Sequence, residues 1–226
     1  MYMTYPNAYL GVKRLFSSRI LALIGGFAML ISLSFAIILD AVPEEATGGD
    51  LATGGLIAVL ALSFMIISAV VLIISFILGI TGLSKASLDE PAFRVALFAT
   101  LANIIIVGFG SMFTSMNNSF MASLMNSFST IADLIIFIYI ILGIRSLAAQ
   151  IGDDVMDRKG NNLFKILLVV LILEFIANLI VAIFRGAQTA SIVASVVAVI
   201  GAILTIIQYV MFLVYLAKAR KMLANA

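Results

Sequence analysis

The sequence is dominated by long, continuously apolar runs that are separated by short polar connectors. A helix needs about 20 apolar residues to cross the roughly 30 Å hydrocarbon core of a bilayer. None of the runs alternates apolar and polar side chains as barrel strands do, so each is predicted to be a membrane-spanning α-helix. Six segments reach the required length, at about residues 20–39, 55–83, 95–113, 128–147, 166–184 and 191–216.

The composition leaves few other solutions for the chain. Hydrophobic residues make up 64% of the 226 residues and charged residues only 11%, whereas a soluble domain has about 45–50% and 25%. A core of this size cannot hide so much apolar side chain from water, which excludes a soluble domain, a disordered chain and a coiled coil. We therefore expect an all-α polytopic membrane protein, with residues 1–226 as one domain and the lipid bilayer as its main partner.

The basic residues predict the orientation of the spans. Twelve of the 13 Lys and Arg residues fall on one side of the alternating connectors, and only Arg185 falls on the other. Because cytoplasmic loops carry an excess of Lys and Arg, we expect three helical hairpins with both termini in the cytoplasm. A bacterial cytoplasmic membrane suits such a chain. The twelve are Lys13, Arg14, Arg19, Lys85, Arg94, Arg145, Arg158, Lys159, Lys165, Lys218, Arg220 and Lys221.

A weak internal repeat suggests that the hairpin is the structural unit. The cytoplasmic ends of the second and fourth segments match at an offset of 64, and the starts of the third and fifth match at 71. The predicted units are residues 14–88, 89–152 and 160–222, although apolar sequences also match by chance. The matched pairs include Gly79 with Gly143, Asp89-Glu90 with Asp153-Asp154, and Phe93-Arg94 with Phe164-Lys165.

Five polar residues inside the spans are candidates for a functional site. Glu174 lies near the middle of the fifth segment, where a charged side chain costs at least about 2.5–3.5 kcal/mol. Asn178 is one helical turn further on the same face, and Asn103 matches Glu174 in the repeat. Gln208 lies within the sixth segment, and Asp133 lies near the outer end of the fourth. The functional interpretation is a pocket for a proton, a cation or a cationic solute; the alternative is a protonated Glu174 that holds helices together.

Small residues form a stripe along the sixth segment at four-residue spacing. Small side chains let helix backbones approach closely, either between two copies of the chain or within one bundle. The stripe consists of Ala190, Ala194, Ala198 and Ala202.

Two connectors have distinctive compositions. Residues 114–127 have helical apolar spacing and polar Asn and Ser residues, which predicts an amphipathic surface stretch or extensions of the third and fourth spans. Residues 153–160 carry both charge signs and are predicted to be a solvated connector. The neighbouring basic residues Arg145, Arg158, Lys159 and Lys165 are expected near anionic headgroups.

The chain contains no Cys and no His, which removes thiolate nucleophiles, the usual base near neutral pH and the commonest metal ligands. We therefore expect no catalytic residues, no metal site, no cofactor and no nucleic-acid partner. The predicted function is a non-enzymatic interaction or assembly subunit that binds other membrane proteins or a second copy of itself. The alternative is a transporter or solute-binding subunit for a small solute, a proton or a cation, with its polar site around Glu174.

Overall fold

In a computed structural model of the chain, the described residues form six long α-helices. The structure describes residues 4–40, 48–183 and 188–226, and within these ranges the side chains of residues 40, 48–53, 119, 123, 170–183, 188–198 and 202 are not described. No strand occurs in the described ranges, so the all-α prediction is confirmed. The helices are α1 (Pro6–Asp40), α2 (Gly48–Ala86), α3 (Ala92–Ser115), α4 (Ser119–Ile151), α5 (Asp154–Ile183) and α6 (Gln188–Asn225).

Five of these helices are long and apolar enough to cross a membrane: α1, α2, α3, α4 and α6. The shortest, α3, has 24 residues and measures about 36 Å at 1.5 Å per residue, which suits a hydrocarbon core of about 30 Å. The apolar part of α5 falls mainly on side chains that are not described, so the sixth span stays a prediction. These helices have the character of an integral, multi-pass membrane protein.

The chain divides into two compact units. The small unit is Lys13–Gly82, which covers most of α1 and α2; the large unit is Leu83–Ala226 together with the start of α1 up to Val12. The single domain over residues 1–226 and the repeat of hairpins both stay predictions.

In the small unit, α1 and α2 pack antiparallel through small residues. The spacing of seven residues is the heptad period of left-handed helix packing, and small side chains at the contact allow the backbones to approach. We call this set the small-residue ladder. Its members are Ser18, Gly25 and Ser32 on α1 and Ala61, Ser68 and Ser75 on α2.

Each level of the ladder carries a hydrogen bond from a serine hydroxyl to the backbone of the other helix. Ser75 Oγ donates to the Ser18 carbonyl oxygen at 2.7 Å, and Ser68 Oγ donates to the Gly25 carbonyl oxygen at 2.8 Å. At the third level, Ser32 Oγ donates to the Ala61 carbonyl oxygen at 2.8 Å. The four serines are buried, so these bonds satisfy polar groups that the bilayer cannot satisfy.

In the large unit, α3 packs on α4, α4 on α5 and α5 on α6. Among the side chains that the structure describes, the tightest packing lies at the end where α3 and α5 begin and α4 and α6 end. Most of the unit's Lys and Arg residues lie there, and we call it the basic end. The largest fully buried side chains of the unit include Phe93, Ile140, Ile141, Ile144, Leu147, Phe212, Leu216 and Leu223.

The connection between α4 and α5 corrects the sequence analysis. The prediction that residues 153–160 form a connector is wrong, because α5 already begins at Asp154. The predicted solvation holds for one face of this turn only: Lys159 is exposed, whereas Met156 is only 3% exposed. Gly152 ends α4 at φ 82°, a left-handed conformation that glycine adopts without strain. Asp153 donates its backbone N–H to the Ala148 oxygen, and its side chain accepts from the Met156 N–H at 2.9 Å. One glycine and one aspartate therefore suffice to end α4 and begin α5.

The connection between α3 and α4 is a turn of three residues, Met116, Asn117 and Asn118. Of the two predictions for residues 114–127, extension of both spans is the one observed. Asn117 has φ 55°, which asparagine tolerates better than most residues. Asn118 Oδ1 accepts the Met121 N–H at 3.2 Å and caps the start of α4.

Candidate intramembrane polar site

The structure brings together two of the five predicted polar residues, Asn103 on α3 and Asp133 on α4. Asn103 Nδ2 donates to Asp133 Oδ1 at 2.8 Å. Asn103 lies nine residues after Arg94, and Asp133 lies twelve before Arg145. These separations correspond to about 14 and 18 Å along the helices. If the two arginines mark one membrane interface, the pair lies near the middle of the hydrocarbon core.

The hydrogen bond leaves one strong acceptor of the pair unsatisfied among the described residues. Asn103 Oδ1 is buried and receives no hydrogen bond from the described part of the chain, and an unmet buried acceptor costs about 1–3 kcal/mol. The Asp133 side chain is exposed on the surface of the large unit. Because the amide oxygen is enclosed, the Asp133 carboxyl group is the part of the pair that a donor from another molecule, such as an ammonium or a hydroxyl group, can reach.

A polar groove leads from this pair toward the end opposite the basic end. The groove has a volume of about 290 Å³ and lies between α3 and α4. One helical turn separates Val107 from Asn103, and one turn separates Ser129 from Asp133. We call it the α3–α4 groove; it is lined by Ile106, Val107, Gly110, Ser111, Thr114, Ala122, Met125, Asn126 and Ser129.

Hydroxyl groups in the α3–α4 groove point their donors at their own helix. Ser111 Oγ donates to the Val107 oxygen at 3.0 Å, and Thr114 Oγ1 donates to the Gly110 oxygen at 2.9 Å. The lone pairs of both exposed hydroxyl groups can then accept hydrogen bonds from another molecule. Together with Asn126, they give a polar surface to which acyl chains offer no hydrogen bonds. This surface lies about 26–30 Å along the helices from Arg94 and Arg145, near the opposite edge of a hydrocarbon core of about 30 Å.

The other predicted site residues are not brought into this site by what the structure describes. Glu174 and Asn178 belong to α5, but their side chains lie outside the described residues, and so do those of the α6 alanine stripe. Gln208 is half-buried on α6 and does not line the α3–α4 groove. The stripe consists of Ala190, Ala194, Ala198 and Ala202.

Sequence reasoning missed a buried carboxylate at the basic end, Glu90, which is 6% exposed. Glu90 Oε2 accepts from Ser146 Oγ at 2.8 Å and from Gln150 Nε2 at 3.4 Å. Its Oε1 atom accepts from the Ala92 N–H at 3.4 Å, in the first turn of α3. An acid before Pro91 is a recognisable helix-start signal, but the sequence analysis used Glu90 only to support the repeat.

Its neighbour Asp89 accepts hydrogen bonds at the start of a different helix, α1. Asp89 Oδ2 accepts the Ala8 N–H at 2.7 Å, and Oδ1 accepts from Asn7 Nδ2 at 3.0 Å. The free N–H groups of the first turn attract a carboxylate. The two adjacent acids therefore stabilise the starts of α1 and α3.

An ion pair joins α4 to α5 at the basic end. Arg145 Nε donates to Asp157 Oδ1 at 2.8 Å. Gly160 faces this arginine and Tyr215 so closely that a Cβ atom at residue 160 would collide with both. No signal in a single sequence identifies this contact, because it depends on the register of three helices.

Comparison with protein-family models, curated proteins and solved structures finds no match for this chain. Among the described residues, no three Asp or Glu side chains come together as metal ligands would. The fold defines the class of the protein, an all-helical, multi-pass integral membrane protein.

Proposed function

We propose that this protein is a non-enzymatic assembly subunit that binds a transmembrane helix of a partner protein in the α3–α4 groove. The supporting observation is the polarity of a groove on helices apolar enough to span a membrane, with the exposed Asp133 one turn beyond its end. Lipid chains offer no hydrogen bonds to such a surface. A partner helix with hydroxyl, amide or basic side chains does, and interhelical hydrogen bonds of this kind stabilise helix association in membranes.

The shape of the groove also suits a helix. Gly110 and Ala122 lie on opposite walls, and small residues allow an incoming backbone to approach closely. The alternation of polar and small side chains along two helical turns provides both contact area and acceptors. This arrangement favours a helix over a flat soluble partner.

The proposal includes a topology. We propose six spans with α5 as the fifth, both termini in the cytoplasm and a bacterial cytoplasmic membrane as the location. Its support is the separation of the basic residues, twelve on one side and one on the other, since Lys and Arg are enriched in cytoplasmic loops.

Site-specific photo-crosslinking in native membranes tests the assembly proposal. A photoreactive residue at Ser111 or Asn126 samples the groove, and the same residue at Phe109 or Ile131, which are exposed elsewhere on α3 and α4, is the matched control. We expect adducts of one defined mass from the two groove positions only, with a transmembrane peptide of the partner attached. Adducts to lipid alone, or the same adducts from the controls, would contradict the proposal.

A second candidate function is favoured by the unmet acceptor at Asn103 Oδ1. A transporter or solute-binding subunit would place a cation or a donor group between this oxygen and Asp133, with Glu174 and Asn178 as further members of the site. In that case, water must fill the α3–α4 groove.

Because the chain has no native Cys, one variant separates the two functions. A membrane-impermeant maleimide added to intact cells should label Ser129→Cys rapidly if the groove is a water-filled solute path. If a partner helix occupies the groove, labelling should be slow in cells and rapid only after the complex is dissociated in detergent.

A further inference from the structure

A second groove lies at the basic end, between α5 and α6. It is open to the surface and has a volume of about 320 Å³. Pockets that bind small ligands begin at about 300 Å³. Its walls include Lys159 and Leu163 from α5 and Met211, Val214, Tyr215 and Lys218 from α6. We call it the α5–α6 groove.

The α5–α6 groove changes from charged to apolar along the helices. Since α5 begins at the basic end and α6 finishes there, Lys159 and Lys218 lie nearer that end than Leu163 and Val210 do. One turn of helix separates the lysines from the first apolar residues of the wall. This is the order of a phospholipid, whose charged headgroup lies outside its acyl chains.

The two lysines are available to an anion. Both are exposed and form no ion pair with any residue in the described ranges. The nearby cation Arg145 is already paired with Asp157, and the lining of the groove contains no acid. Two unpaired ammonium groups in one groove favour a ligand with a phosphate.

Tyr215 contributes its aromatic ring to the wall of the same groove. Its side chain is 4% exposed, and its hydroxyl makes no hydrogen bond within the part of the chain that is described. The hydroxyl oxygen lies against Gly160 and Arg145, neither of which lines the groove, so the apolar ring of Tyr215 is the part that a ligand can contact.

We propose that the α5–α6 groove binds one anionic phospholipid from the leaflet at the basic end. The phosphate lies between Lys159 and Lys218, and an acyl chain runs along Leu163, Val210 and Val214. The site is distinct from the α3–α4 groove, and the proposal holds whether the protein assembles with a partner or transports a solute.

Lipid titration of the purified full chain in detergent, read by native mass spectrometry, tests the site. The probes are dioleoyl phosphatidylglycerol, zwitterionic dioleoyl phosphatidylcholine and soluble glycerol 3-phosphate. Lys159→Gln with Lys218→Gln removes both ammonium groups. Lys165→Gln with Lys221→Gln removes equal charge from the same two helices outside the groove.

The wild type should bind one phosphatidylglycerol in preference to phosphatidylcholine, and the groove variant should lose about 30-fold in affinity. The control variant should lose no more than a few-fold. Equal losses in both variants would overturn the proposal, because they would indicate general surface charge. Equal binding of glycerol 3-phosphate would overturn it as well, because the groove would then be a site for a soluble anion.

A variant that keeps both lysines tests the apolar half of the groove. Val214→Trp fills the wall with a larger exposed side chain and should weaken phosphatidylglycerol binding at least 10-fold, while glycerol 3-phosphate binding stays unchanged. Unchanged lipid binding by this variant, in a protein that remains monodisperse, would show that no acyl chain occupies the groove.

Discussion

Asn103 and Asp133 are the two polar side chains on which the candidate site depends. The 2.8 Å hydrogen bond satisfies one amide proton and one carboxyl oxygen, but it leaves Asn103 Oδ1 without a donor among the described residues. In hydrocarbon, no water is present to complete the set. The pair therefore forms a stable contact but keeps unused hydrogen-bonding capacity.

We expect Asn103→Leu to destabilise the protein by about 1 kcal/mol, because Asp133 loses its amide donor in an apolar setting. Asp133→Asn should change stability by less, since the new amide accepts from Asn103 and can donate to its oxygen. Thermal unfolding in one detergent measures both variants. Greater destabilisation by Asp133→Asn than by Asn103→Leu would contradict this, because it would show that the carboxylate of Asp133 matters more than the hydrogen bond.

The buried acid Glu90 is expected to stabilise the fold more than the exposed acid Asp154 does. Glu90→Ala removes the acceptor for Ser146 and the cap at Ala92, and should cost about 1–2 kcal/mol. Asp154→Ala removes an exposed acid from the first turn of α5 and should cost less than 1 kcal/mol. The same unfolding measurement compares them, and the reverse order would contradict the role assigned to Glu90.

At the scale of elements, the small-residue ladder explains why two very apolar helices pair in a defined register. The bilayer supplies no hydrophobic force between helices, so close contact and hydrogen bonds must hold α1 to α2. Gly25 is the tightest point, because a Cβ atom there would lie 2.9 Å from Leu72 Cγ.

Two adjacent glycines provide a matched test of the ladder. Gly25→Leu should destabilise the small unit by about 1–3 kcal/mol through overpacking, whereas Gly26→Leu should be nearly neutral, because a Cβ at residue 26 meets nothing within 4 Å. Unfolding of both variants in detergent checks the difference. A similar loss at residue 26 would mean that helix contact at Gly25 is unimportant.

The helices were predictable from the sequence, because a run of about twenty apolar residues has few stable structures other than a membrane-spanning helix. It failed at residues 153–160, where charges suggested a loop although Gly152 and Asp153 carry the signals for a helix end and a helix start. The small-residue ladder was not predicted. Its members recur every seven residues, but serine and glycine have near-neutral hydropathy, so a search for apolar runs does not detect them.

The candidate site was only partly predictable. Asn103 and Asp133 were identified as polar residues inside spans, but their hydrogen bond depends on the register between α3 and α4, which one sequence does not contain. The α5–α6 groove was equally hidden, since the sequence places Lys159 near headgroups without indicating Lys218 as its neighbour.

At the scale of the whole molecule, the described core side chains of the large unit lie mainly at one end. The buried aromatic and aliphatic side chains lie at the basic end, and polar capping by Asp89 and Glu90 lies there as well. Toward the other end, α3 and α4 expose Ile105, Phe109 and Phe120. Such apolar surfaces suit lipid chains, whereas the assembly proposal depends on the polar α3–α4 groove between the same two helices.

In the proposed topology, the chain crosses the bilayer six times, and the termini and connectors that carry twelve of the 13 basic residues lie in the cytoplasm. Single cysteines at Leu88, Met116, Val155 and Gly186, in a chain with no native Cys, test it by labelling intact cells with an impermeant maleimide. With six spans in this orientation, we expect labelling of Met116→Cys and Gly186→Cys only, with Leu88→Cys and Val155→Cys reacting after the membrane is permeabilised. Labelling of Leu88→Cys or Val155→Cys in intact cells, or protection of Gly186→Cys, would contradict it.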